Sequence, residues 1–140
     1  MIHLKHILHP TDFSDNSSQA LKYACSLATQ YHAELHLLHV IQDAGWMIPA
    51  VAMSFPDDYY EKQKQYAQEE LASLPDKILS HTGSVTRNSY EGSPYVKIVQ
   101  YAKEHAIDMI VMSTHGHSGI EHLVMGSVAE NVVRTAPCPV

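Results

Sequence analysis

The chain has 140 residues and a mass of 15.6 kDa, the size of one domain spanning residues 1–140. It is 45% apolar and 17% charged, which supplies a packed core and sets it apart from disordered chains. The net charge of −6, from 9 basic and 15 acidic side chains, argues against a coat for nucleic acid or an anionic membrane, although backbone N–H groups can still hold a phosphate.

His3 to His9 is a short half-apolar run closed by Pro10-Thr11-Asp12, which predicts a strand ending in a turn. Ser14 to Ser18 offer several helix caps, and Ala20, Ala24, Leu27, Ala28 and Tyr31 recur behind them at helical spacing. Glu34 to Ile41 reads as a second strand whose dense apolar content suits burial on both faces. Residues 42–56 read as a long loop. A helix face follows at Tyr60, Ala67, Leu71, Leu74 and Ile78, ended or kinked by Pro75.

Ser84 to Tyr90 predicts a third strand, and Glu91-Gly92-Ser93-Pro94 a turn opening a helix with Val96, Val99, Ala102 and Ala106. Ile107 to Met112 reads as a central strand followed by the loop Ser113 to Gly119. A last helix starts near Gly126-Ser127 and carries Val128, Val132 and Val133. Thr135 to Val140 reads as a final strand. Strands that alternate with helices and lack hairpin signals predict an α/β domain with a parallel sheet.

Cys25 and Cys138 make no disulfide framework and read as two reduced thiols. Met1 to Lys5 runs into a strand pattern rather than a signal peptide, and no apolar run nears the ~20 residues that span a bilayer. The expectation is a soluble, cytoplasmic protein with no membrane or nucleic-acid partner.

In open parallel sheets, ligands bind beyond the carboxyl ends of the strands where strand order reverses. Polar and glycine residues gather at two such ends, Pro10-Thr11-Asp12 and Ser113 to Gly119, and neighbouring strands would bring both to one crevice. Glycines there allow close backbone approach or positive φ, and the N–H groups opening the last helix suit a phosphate. The plainer alternative is a turn at Gly116 and Gly119 followed by an ordinary capping box, Ser127-x-x-Glu130. Asp12 reads equally as a turn-forming carboxylate and as an acceptor for a ribose hydroxyl.

Other patterns fail. There is no Walker-type G-x-x-x-x-G-K-[ST], and no G-x-G-x-x-G follows the first strand. Gly116-His117-Ser118-Gly119 is one residue short of G-x-S-x-G, so Ser118 is a poor nucleophile. The eleven histidines are the oddest feature, and His115 and His117 form an H-x-H pair of the kind that holds zinc. With no Cys, Asp or Glu at ligand spacing beside that pair, the histidines read as solvated or core residues and no metal site is expected.

The opening ILHPTDFSDNSSQALKYACSLA, the strand HLLHV, the turn EGSP and the ending VMSTHGHSGIEHLVMGSVAENVVRTAPCPV resemble the universal stress proteins over essentially the whole chain. The resemblance implies a Rossmann-like fold: an open five-stranded parallel sheet in order 3-2-1-4-5 with helices on both faces. Members of that family divide into an ATP-binding group and a nucleotide-free group. The binding group carries G-x2-G-x9-G-[ST]. Here the aligned residues are Ser113-x2-Gly116-x9-Gly126-Ser127, with Ser113 in place of the first glycine.

Carried over by position, the resemblance places Pro10, Thr11 and Asp12 against the adenosine, with Asp12 near the ribose. Val40 would meet the adenine edge through its backbone. Ser113, Thr114, His115, Gly116, His117, Ser118 and Gly119, with Gly126, Ser127 and Val128, would surround the ribose and phosphates. The implied ligand is ATP or another adenine nucleotide, with Mg²⁺ as its companion ion, and the implied assembly is a homodimer through the C-terminal edge strand. The expected function is a stress-response sensor or regulator. The alternatives are a nucleotide-free dimer acting through protein contacts and, from the enzyme class, a slow ATPase using His117 or Asp12.

Overall fold

A computed structural model describes residues 1–43, 50, 53–75, 83–115 and 125–140. Four parallel strands form one sheet: β1 (His6–Pro10), β2 (Glu34–Gln42), β3 (Val85–Gly92) and β4 (Met109–Ile110), in spatial order β3-β2-β1-β4. Helices α1 (Asp15–Tyr31), α2 (Tyr59–Ala72), α3 (Pro94–Glu104) and α4 (Ser127–Thr135) alternate with them. Most of the predicted loop, 44–49 and 51–52, lies outside the described residues, as does Ile78.

Alternation along the strands divides the core in two. Ile7, Leu35 and Leu37 meet Leu21, Ala24, Cys25 and Ala28 of α1 and Leu71 of α2 on one face. On the other, Leu8, Leu38 and Ile110 meet Ile98, Tyr101 and Ala102 of α3 and Val132 of α4. Helices therefore cover both faces of the sheet. Ser14 opens α1, its side chain accepting from the Ser17 N–H at 3.2 Å. α2 stops at Ala72, three residues before Pro75, as a residue without an N–H requires. In α3 the buried face is Ile98, Val99, Tyr101 and Ala102, while Val96 is exposed and Ala106 lies beyond the helix.

Three expectations are corrected. β1 begins at His6 rather than His3. The run Ile107 to Met112 contributes only the two residues of β4 to the ladder, and β4 pairs with β1 alone. Its backbone is irregular: the Asp108 and Val111 N–H groups, three residues apart, donate to His6 and Leu8, two residues apart. That mismatch interrupts regular pairing.

Thr135 to Val140 adds no fifth strand, so the described sheet has four. The segment does lie along β4, where the Ile110 N–H donates to the Pro139 carbonyl at 2.9 Å. Pro137 and Pro139 have no N–H to return, so a ladder cannot be sustained there. Among the described residues, no helix is long and apolar enough to cross a membrane.

Candidate functional site

β1 and β4 are neighbours, with Ile7 opposite Met109 and Leu8 opposite Ile110. After Pro10 the chain leaves toward α1 on one side of the sheet, and after Ile110 it leaves toward α4 on the other. This divergence opens a cavity of about 330 Å³ beyond the strand ends, within the roughly 300–1,000 Å³ range of small-molecule sites.

Every described candidate lines this cavity: Pro10, Thr11, Asp12, Val40, Ser113, Thr114, His115, Gly126, Ser127 and Val128. Gly116, His117, Ser118 and Gly119 lie outside the described residues. Sequence reasoning missed Ser17, Leu38, Gln42, Pro94, Ile98, Met112 and Ala129 as lining residues. The strand period would have given Leu38 and Gln42, which share a face with Val40. Ser17 was legible only as a possible cap.

The floor comes from strand geometry. The Thr11 N–H makes the last β1 bond to β2, donating to the Leu38 carbonyl at 2.8 Å. Two residues on, the backbone N–H and C=O of Val40 point to the same side of β2, beyond the point where β1 turns away. An edge of that kind can exchange hydrogen bonds with a planar heterocycle.

Asp12 is fixed by its own turn. Its Oδ1 accepts from the Ser14 N–H at 3.0 Å and from the Ser17 hydroxyl at 2.7 Å. The turn-forming role is therefore present, on a carboxylate that also lines the cavity. Beside it, His39 Nδ1–H donates to the Thr11 carbonyl at 2.8 Å, and the His39 ring stacks on Phe13 with centroids 4.4 Å apart.

The opposite wall is the start of α4. Gly126, not Ser127, is the N-cap, and among the described residues no side chain caps the first turn, so the alternative of a Ser127–Glu130 capping box does not form. Glu130 instead pairs with Arg134 at 2.9 Å. The N–H groups opening α4 thus keep the partial positive charge of a helix start toward the cavity. Gly126 has φ −59°, so its use is not a positive φ. The reason is space: its N–H donates to the Thr114 carbonyl at 2.6 Å, and a Cβ would lie 2.9 Å from that oxygen.

The Ser113 hydroxyl donates to the His115 carbonyl at 2.9 Å, which turns the side chain back onto its own loop. His115 Nδ1 lies 2.9 Å from the Thr114 hydroxyl, and its Nε2 is buried without a partner among the described residues. No Lys or Arg lines the described part of the cavity. An anion there would be held by N–H and hydroxyl dipoles, the way helix N-termini and glycine loops hold phosphate.

An open parallel α/β domain with a crevice at its strand-order reversal has the architecture of the doubly wound folds, whose ligands bind at that reversal. The sequence model of the "Universal stress protein family" matches residues 3–140, and the chain belongs to that family. It is 34% identical over 136 residues to the universal stress protein MJ0531 of Methanocaldococcus jannaschii, covering 97% of this chain and 79% of that one. The solved structure of MJ0577 from the same organism is 29% identical, with a TM-score of 0.85, covering 99% of this chain and 94% of that one. At 21% identity, a universal stress protein in complex with cAMP shares the fold, with a TM-score of 0.74 and coverage of 99% and 96%.

Proposed function

We propose that this chain binds ATP or a related adenine nucleotide in the crevice between β1 and β4 and acts in the cytoplasm as a stress-response sensor or regulator. The observation that carries the reading is the start of α4, its N–H groups without a side-chain cap among the described residues, facing the Pro10–Asp12 turn across the cavity. In this reading Val40 offers its backbone to the adenine edge, and Asp12 faces the ribose. Ser113 to Gly119 with Gly126, Ser127 and Val128 surround the phosphates. Mg²⁺ would accompany a triphosphate, offsetting charge that no described basic side chain in the cavity offsets.

The test is chemical. Denaturing the purified protein and chromatographing the released small molecules should recover ATP, ADP or AMP near one per chain, or the emptied protein should titrate with ATP calorimetrically. Neither retained nucleotide nor heat of binding at millimolar ATP would reject the reading.

Ser113 favours a second reading, a nucleotide-free protein acting through protein contacts, because a side chain stands where the nucleotide-binding motif has its first glycine. Ser113→Gly discriminates between the two. In the nucleotide reading it leaves ATP affinity within a few-fold, since the hydroxyl is already bonded to the His115 carbonyl. In the second reading the wild type does not bind ATP and Ser113→Gly gains binding, because the obstructing side chain is gone.

Both readings include a homodimer, twice 15.6 kDa, joined along the Thr135–Val140 edge. An outer segment carrying Pro137 and Pro139 and only partly paired to β4 is a surface on which a second copy can pack around a two-fold axis. Light scattering across a concentration series should give the dimer mass, falling on dilution. A monomer at every concentration would exclude this assembly.

A further inference from the structure

At the other end of the sheet three potential metal ligands converge. Glu34 and His36, two apart on β2, share the face that α3 covers, and parallel register sets His6 of β1 directly opposite Glu34. His6 Nδ1 lies 3.2 Å from His36 Nε2 and 3.5 Å from Glu34 Oε2, and His36 Nε2 lies 3.7 Å from the same carboxylate oxygen. We propose that His6, Glu34 and His36 form a binding site for a zinc-class divalent ion, with a fourth position open to water.

The three separations are compatible with a small tetrahedral ion. A tetrahedral ion with bonds of about 2.0–2.1 Å spaces its ligand atoms about 3.3–3.4 Å apart. An octahedral ion with bonds of similar length requires about 3.0 Å. The observed triangle brackets the first value and exceeds the second on every side. Two imidazoles and one carboxylate are a donor set suited to zinc, and three protein ligands with one open position are its usual arrangement where water or another ligand completes the shell.

The surroundings hold the ligands in place. The Thr86 hydroxyl donates to Glu34 Oε1, which leaves Oε2 directed at the two imidazoles. The outer nitrogen of His36, Nδ1, lies 2.9 Å from the Tyr101 hydroxyl, and that oxygen also accepts from Asn88 Nδ2 at 3.1 Å. Tyr101 is itself fixed by stacking on His105 at 3.8 Å between centroids. A polar partner on the outer nitrogen is what orients a metal-bound histidine. His36 is buried, with 6% side-chain exposure, whereas His6 at 36% and Glu34 at 30% leave a path for the ion and room for water.

This site is independent of the nucleotide crevice. His6 opens β1 and Pro10 closes it, about 13 Å further along at roughly 3.3 Å per residue. An ion here would bridge the first residues of β1 and β2 beneath α3, and would bind with or without a nucleotide.

The test uses the whole chain without nucleotide. Zinc competition against a chromogenic chelator should give one tight site per chain, and cobalt should produce the strong visible absorption of a tetrahedral centre. His6→Gln and Glu34→Gln, both positions about one-third exposed and variants whose folding circular dichroism can verify, should each weaken zinc by more than about 100-fold. Thr86→Val, which removes only the outer partner of Glu34, should weaken it by about 10-fold, the lower end of the outer-shell range. Weak octahedral cobalt absorption in the wild type would overturn the proposal without recourse to any variant. So would zinc affinity unchanged in folded His6→Gln and Glu34→Gln, or affinity abolished only when His115 and His117 are replaced.

Discussion

Gly126→Val should lower ATP affinity at least tenfold, about 1.4 kcal/mol, in a protein that still folds. The new Cβ would stand 2.9 Å from the Thr114 carbonyl, a backbone atom that cannot swing aside like a side-chain tip. The conformation at Gly126, φ −59° and ψ 151°, is open to any residue, so the penalty comes from contact and not from backbone strain. Relief requires the Ser113–His115 loop and the start of α4 to separate, lengthening the 2.6 Å bond that joins them. Those are the two walls proposed to hold the phosphates.

The comparison that gives this result meaning is Ser127→Ala. It removes one hydroxyl at the same helix start, a loss of roughly 0.5–1.5 kcal/mol if that group bonds the ligand. Calorimetry on both variants should therefore place Gly126→Val at or beyond the serine variant. If folded Gly126→Val bound ATP as tightly as wild type, the crevice would not be the nucleotide site.

Much of this architecture was legible because its signals are local. The dense apolar content of ELHLLHV suits a strand covered on both faces, and the Ser14 cap sits where the polar run meets helical periodicity. The crevice was legible at one remove, since it needed only β1 and β4 to be adjacent. What could not be read were matters of register and spacing between distant segments. Nothing local in IDMIVM announces that a step of three residues along it will match a step of two along β1, which reduces β4 to two paired residues.

The prolines near the end were visible, but whether one carbonyl bond to Ile110 amounts to a strand depends on donors that the partner segment lacks. At Gly126 the helix start is visible in the sequence, but the need for a glycine there is not, because close approach to Thr114 is a tertiary fact. His6, Glu34 and His36 show the same limit. Glu34-x-His36 places two ligands on one face of a strand, but only the β1–β2 register brings His6 opposite them.

Acid should destabilise the fold through His9, starting before the carboxylates titrate. His9 is fully buried in β1; its Nδ1–H donates to the Val111 carbonyl at 2.8 Å, and its Nε2 has no partner among the described residues. Burial pushes its pKa from 6.5 down to about 4, against smaller upward pulls from the Val111 carbonyl and the Asp12 carboxylate. Between those two values the unfolded chain binds a proton that the native chain refuses, so stability is complete above pH 6.5 and is lost as pH falls toward 4. Linkage puts the loss at about 1.4 kcal/mol at pH 5.5 and about 2.5 kcal/mol at pH 4.5. Burial lowers the His36 pKa too, which adds a smaller slope of the same sign. Urea unfolding at pH 7.5, 5.5 and 4.5 should show this decline in the wild type. His9→Gln, which keeps a donor for Val111 but cannot titrate, should start less stable and decline much less, retaining the His36 part and, near pH 4.5, the loss from the lowered Glu34 and Asp108 carboxyls. Parallel declines in the two proteins would show that His9 is not the group responsible.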